Sequence, residues 1–312
     1  MRMQGRTHVD LHDLLAMRHD LQQIELFNAP LQRSPLLGLQ RSRLRGRGMD
    51  FDQVRAYQSG DDARSIDWRV TARTGEVHTK VLHEERERPT CIAVEQSLHL
   101  FFASTGCFKS VLAAQVASLF AWASLKHNDR LSGLVFDHQH VRYIPARSNQ
   151  HSVLQLLQTI ADANQRLQHP MRDSLDNPLI EVLTQALRLS RSGSLLILIC
   201  NERHLNEQSS TLLRRLAKHT ELILLPLSDP LEHELPNLGQ AHFVLGDNHL
   251  SINTDTQTRQ AWRSLGQSYQ TAWQTLAQQL GAALIPFSTA RPALEQLQAL
   301  SAQHASATGS AR

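Results

Sequence analysis

The chain lacks most features that would tie it to a membrane, an oxidising compartment or a familiar catalytic scaffold. Its 312 residues contain three cysteines, Cys91, Cys107 and Cys200. They are odd in number, show no CxxC spacing, and two sit inside apolar runs as small buried hydrophobes do. A disulfide framework is therefore excluded as the basis of the fold, and a reducing compartment is expected. The longest apolar run, Leu195 to Cys200, is far short of the ~20 residues of a spanning helix. The opening MRMQGRTHVDLHDLLAMRHDL has no continuous apolar stretch of signal-peptide length, which adds to the expectation of a cytoplasmic protein with no membrane partner. Neither sign of charge dominates: 32 Lys+Arg against 29 Asp+Glu leave +3 with the 17 histidines neutral. That balance neither demands nor excludes a polyanionic partner. Internal repeats, low-complexity blocks, GxGxxG, a P-loop and a nucleophile elbow are all missing, so the common nucleotide-binding and esterase signatures do not apply.

What is present is enough chain for one large domain and an accessory region. Leu11, Leu14, Leu15, Met17, Leu21, Ile24 and Leu26 recur at three- and four-residue spacings, predicting an amphipathic helix over about 9–26. After Pro30 and Pro35 the arginine- and glycine-rich stretch 38–50 reads as an exposed loop, and Glu76 to Leu82 alternates like a strand. Residues 1–89 are therefore expected to hold the first helix and a small β-containing accessory region. From Thr90 short β runs alternate with amphipathic helices, the pattern of a doubly wound, mostly parallel α/β sheet. Strands are predicted at 91–97, 130–136, 194–200, 221–227 and 282–287. Helices are predicted at 108–126, 150–164, 178–190, 206–218, 257–280 and from about 291, with a hairpin-like piece formed by HFVLG and HLSIN. Asp137 and His138 turn the 130–136 strand into HVRYIP, giving one antiparallel edge hairpin. The α/β domain is expected to span 90–303, with 304–312 as a frayed tail.

One such hairpin in an otherwise parallel alternation is the layout of the von Willebrand factor A domain, which this region resembles. In open sheets of this kind the working crevice lies at the carboxyl ends of the strands, so chemistry is sought after the 91–97 and 194–200 strands.

The segment 46–89 carries Gly48, Phe51, Val54, Arg55, Tyr57, Gly60, Asp61, Asp62, Arg64, Ile66, Asp67, Trp68, Thr71, Ala72 and Arg73 in one spacing pattern. It closely resembles the signature of the family catalogued as domain of unknown function 58, and weaker likeness continues to about residue 300. From the residues alone, Asp61, Asp62 and Asp67 are placed to accept from Arg55, Arg64 and Arg73 in a buried ion-pair network, with Tyr57 and Trp68 covering it. The rival reading makes Gly60-Asp61-Asp62 a polymerase-like metal motif, which needs further carboxylates that the segment does not place.

The resemblance to A domains implies a Mg²⁺ or Mn²⁺ site built from an Asp-x-Ser-x-Ser loop, a Thr and a later Asp, since hard cations want oxygen ligands. Here those positions fall on Glu95, Ser97, His99 and Asn201, and the Thr position offers only Ser174 and Asn177. Glu95 is a methylene too long, His99 replaces a hydroxyl by an imidazole, and Asn201 removes a charge, so the site is expected to be lost and no cofactor is expected. The alternative is a converted site, in which Glu95, His99 and a nearby histidine bind a transition metal and support a metal-binding or hydrolase activity. His8/His12 and His138/His140 have ligand-like spacing but read as solvated or capping side chains. The run 41–47, RSRLRGR, raises RNA binding, against which stand the small net charge and the lack of interleaved aromatics.

The resemblance further implies a non-enzymatic protein-interaction or adaptor role beside a MoxR-type AAA+ ATPase and its client proteins, in chaperone-like assembly or maturation of complexes.

Overall fold

A computed structural model of the chain describes residues 7–20, 50–58, 61–83, 88–168, 177–245 and 248–300. The elements in chain order are α1 (Leu11–Asp20), β1 (Asp50–Ala56), α2 (Trp68–Thr74), β2 (His78–His83), β3 (Pro89–Glu95) and α3 (Lys109–Lys126). There follow β4 (Arg130–Phe136), β5 (Val141–Arg147), α4 (Gln150–Arg166), α5 (Leu179–Leu189), β6 (Ser194–Asn201) and α6 (Glu207–Leu216). Last come β7 (Thr220–Ser228), α7 (Pro230–His233), β8 (Gln240–Leu245), β9 (Asn248–Asn253), α8 (Thr256–Leu280), β10 (Ala283–Leu284), β11 (Phe287–Ser288) and a helix α9 over 293–300.

The central sheet has the order β10-β7-β6-β3-β4-β5, with β11 also on β7. All its pairings are parallel except β4 with β5. β6 is buried along its whole length, as a strand covered on both faces must be, which is why its sequence is a run of aliphatics without alternation. The pleat still sorts its side chains. Ile197 and Ile199 join the core under α3 and α4, whereas Leu196, Leu198 and Cys200 join the core under α5, α6 and α8. α3 is buried on nearly every side from Lys109 to Ser124, because the sheet lies on one side of it and α1 and α4 on the others.

The chain divides into two compact units, one formed by 1–40 with 88–312 and the other by 41–87. This corrects the expected grouping of the first helix with the accessory region. Val9 and Leu14 lie in the α3/α4 core. Ser118 Oγ and Trp122 Nε1 donate to the Leu14 carbonyl at 2.7 and 3.3 Å. The described part of α1 ends at Asp20, and its expected continuation to 26, the 38–49 loop, Ser174 and the tail 304–312 lie outside the described residues.

Other departures have local causes. β1 carries no two-residue period that would mark it as a strand in the sequence, since a bulge between Phe51 and Gln53 interrupts its pairing with β2. The single strand expected over 282–287 is two short pieces, since Pro286 between them has no N–H for the ladder. α7 is set by a capping box in which the Asp229 and Glu232 side chains each accept from the other's end of the turn.

Candidate functional site

From β3 the chain runs outward through β4 to β5, then returns to lay β6 on the other side of β3. The sheet therefore has its switch point between the carboxyl ends of β3 and β6, where open α/β sheets place ligands. Glu95 ends β3 and Asn201 ends β6.

Glu95 is 0% exposed. Its Oε1 accepts from Ser97 Oγ at 2.5 Å and lies 2.9 Å from His204 Nε2, while Oε2 accepts from the Asn201 backbone N–H at 2.7 Å. Burial pushes this carboxyl up, but the charge of His204 and the hydrogen bonds from His204, Ser97 and Asn201 outweigh it and bring it to about 2. An ionised carboxylate only accepts, so His204 Nε2 carries the proton between them.

The surrounding polar atoms are committed in the same way. Ser97 Oγ also accepts from the His99 N–H at 3.2 Å. Asn201 uses both ends of its amide, Nδ2 to the His99 carbonyl and Oδ1 from the Arg203 N–H, each at 3.0 Å. The second of these caps the 3-10 turn Glu202–His204, which turns His204 inward. Asn177 Nδ2 then donates to the His204 carbonyl at 2.6 Å. The His99 and His204 rings meet edge to face with centroids 4.8 Å apart. Burial, followed by the charge of His204, holds the His99 pKa below its ordinary value.

A second network follows β7. Asp229 accepts from Ser104 N–H at 2.8 Å, Ser104 Oγ at 2.5 Å, Leu231 N–H at 2.9 Å and Thr289 Oγ1 at 2.5 Å. Burial raises its pKa, and the bonds from Ser104 and Thr289 carry it below the ordinary carboxylate value. Lys109 Nζ, 1% exposed, lies 2.7 Å from Glu232 Oε1, and Arg203 Nε approaches the same oxygen at 3.5 Å. Arg203 also stacks over Trp262 and Tyr269. His233 Nε2 lies 3.0 Å from Glu202 Oε2, and this carboxylate raises the His233 pKa.

The positions predicted from the sequence, Glu95, Ser97, His99 and Asn201, are thus brought together with Asn177 of the Thr position, and His204 is added. Their chemistry does not fit a hard divalent cation. Mg²⁺ needs near-octahedral oxygen donors and prefers carboxylates. Here one carboxylate has both oxygens engaged, the Ser97 proton points to it, and Asn201 Oδ1 is engaged by backbone. Nor do Glu95, His99 and His204 converge as three metal ligands. Among the described residues the group that does is Asp10, His12 and Asp13, where the two aspartates accept from each other's N–H at the start of α1. Ser97 donates to Glu95 and not to an imidazole, so it is not set up as a nucleophile. His138 and His140 sit in the turn led by Asp137, whose Oδ1 accepts from the His140 N–H at 2.7 Å.

The signature segment departs from the expected buried network. Arg55 Nη2 pairs with Asp61 Oδ1 at 2.7 Å, with both side chains partly exposed. That bond, followed by one from the Gln58 N–H, lowers the Asp61 pKa. Asp62 Oδ1 instead accepts from the Arg64 N–H at 2.9 Å, and Asp67 Oδ1 from the Arg69 and Val70 N–H groups at 3.0 and 3.1 Å. Both are helix caps. Arg64 and Arg73 are exposed. Trp68, expected as a cover, is 69% exposed, and Tyr57 is exposed at the ring while its hydroxyl donates to the Asp61 carbonyl. The correction has a simple cause: an aspartate one residue before a helical turn answers orphan N–H groups there. Residues 41–47, raised for RNA binding, and Gly60 of the polymerase-like reading lie outside the described residues.

Reasoning from sequence missed His204, Lys109, Asp229 and Glu232. The Asp-Pro-x-Glu spacing at 229–232 was a legible capping box. Nothing local to His204 signalled its partner.

The family model described as "Protein of unknown function DUF58" matches residues 53–272, and the chain belongs to that family. Uncharacterized proteins of Mycobacterium bovis and Mycobacterium tuberculosis are 29% identical to it over 199 residues, 62% of this chain. The matched region spans 59% of the length of those curated relatives. Among solved structures, BatB from Bacteroides thetaiotaomicron aligns with 70% of this chain and 99% of its own, at 14% identity and a TM-score of 0.43. An aerotolerance-related membrane protein from Bacteroides fragilis aligns over the same shares at 12% identity and a TM-score of 0.40. Among the described residues of this chain, no helix is long and apolar enough to cross a membrane.

Proposed function

We propose that this DUF58-family chain is a non-enzymatic, cytoplasmic adaptor. In this reading its α/β unit works as a von Willebrand factor A-like module that docks a MoxR-type AAA+ ATPase or its client during assembly or maturation of protein complexes. The observation that supports the reading is the state of the sheet's carboxyl end. Glu95, Asp229 and Glu232 are each bound by two or more groups of the protein itself, so this face is built for rigidity and shape. Rigid surfaces bind at lower entropic cost than mobile ones. Phe102, between β3 and α3 at the same end, leaves a large apolar side chain in solvent, as a docking anchor would.

The test is binding of the purified chain to the cognate ATPase in its apo, ADP and ATP-analogue states. Affinity that differs between nucleotide states and falls at least tenfold in Phe102→Asp, at unchanged melting temperature, is the expected result. Lack of binding in all three states with folded components overturns the reading.

A further inference from the structure

We infer that the His204 imidazole is the resident occupant of the cation position at the carboxyl ends of β3 and β6, supplied by the chain itself in place of a metal ion. The inference is independent of the partner assignment above.

A buried carboxylate needs a partner of opposite charge or several hydrogen-bond donors. At a strand end in this crevice a divalent ion is one solution. Here the donors are His204 Nε2 at 2.9 Å, Ser97 Oγ at 2.5 Å and Asn201 N–H at 2.7 Å, and they fill both oxygens. The imidazole does for two loops what an ion would do. It ties the turn after β6 to the end of β3, while the His204 backbone carbonyl accepts from Asn177 Nδ2 and the ring makes an edge-to-face contact with His99. Asn177, at the position where the resemblance implies a hydroxyl ligand, instead anchors the His204 backbone. His204 is 5% exposed, and among the described residues an ion from solution meets no free carboxylate oxygen on Glu95. Placing aspartates at residues 95 and 201 without removing His204 leaves the position taken. The Glu95→Asp, His99→Ser, Asn201→Asp triple substitution is accordingly expected to remain indifferent to Mg²⁺.

The experiment is chemical rescue followed by thermal melting. His204→Gly removes the ring and leaves Glu95 facing a ring-sized void. Its melting temperature is expected to fall by several degrees and to recover saturably with added imidazole, following the usual linkage of ligand to stability. Glu95→Gln/His204→Gly is expected to show no recovery. The unsubstituted chain is expected to show no saturable rise with millimolar MgCl₂ or MnCl₂. Saturable metal stabilisation of the unsubstituted chain that is lost in Glu95→Gln, or a folded His204→Gly that ignores imidazole, overturns the inference. Should His204→Gly fail to fold, proton NMR of the unsubstituted chain decides. A protected, downfield imidazole N–H that disappears in Glu95→Gln supports the assignment, and the absence of such a resonance overturns it.

Discussion

His204 Nε2 lies 2.9 Å from Glu95 Oε1, although 109 residues separate them in sequence. This contact joins the strand end that opens the α/β unit to the turn after its most deeply buried strand. It also determines how the candidate site responds to acid and to mutation.

Glu95→Gln is expected to destabilise the fold by about 3 to 5 kcal/mol near neutral pH, the cost of breaking one side of a buried pair. The pH dependence follows from the carboxyl at about 2 in the fold against roughly 4.3 in an unfolded chain. A depressed acid contributes stability that is complete above the unfolded value and lost as pH falls through the folded one. The contribution is on the order of 3 kcal/mol. Urea unfolding between pH 5 and 2 should show the unsubstituted chain losing stability more steeply than Glu95→Gln, with equal slopes arguing against an ionised Glu95.

For the signature segment the expected losses are small. Asp62→Ala removes the cap of a helical turn and should cost about 1 kcal/mol, within a range of roughly 0.5 to 2. Trp68→Ala, at an exposed position, should change the melting temperature little. Losses several times larger, measured by denaturant melts, would restore the picture of a shielded ion-pair network.

α1 is expected to be part of the α/β core. Leu14 is fully buried beneath α3, and Leu14→Ala should cost about 2 to 5 kcal/mol through lost transfer energy and the cavity left behind. A loss below 1 kcal/mol in chemical denaturation would mean that the helix is only loosely attached.

The three thiols should be inert in the native protein. Burial raises Cys91 and Cys107 to about 11 and Cys200 well above its ordinary value, where the Glu95 charge adds to the effect. The thiolate is the reactive form. A thiol-reactive dye at pH 8 is expected to label the native chain slowly and all three cysteines after unfolding. Fast stoichiometric labelling of native Cys107 or Cys200 would contradict the burial of that residue.

The candidate site was legible in part. Glu95 and Asn201 were found because each closes an apolar run that reads as a buried strand, and ligands gather at such ends. The charge of Asp62 and Asp67 suggests arginine partners, but each stands one residue before a helical turn and caps it, a role in which backbone N–H groups compete for the carboxylate. His204 follows β6 with no periodic or motif signal, and its role depends on an acid from another strand.

The sequence by itself determined the alternation of strands and helices, the antiparallel β4–β5 hairpin at the edge of the central sheet and the identity of the strand ends, because hydrophobic period, turn residues and caps act over a few neighbouring positions. It also determined membership of a family, through the spacing of Arg55, Tyr57, Asp61, Asp67 and Trp68. Only the tertiary structure decided that α1 belongs to the α/β core, that Trp68 faces solvent, and that Glu95 is answered by an imidazole. Each of those outcomes depends on which distant segments share a buried volume and on which donor reaches a desolvated carboxylate first, and neither is written in local spacing.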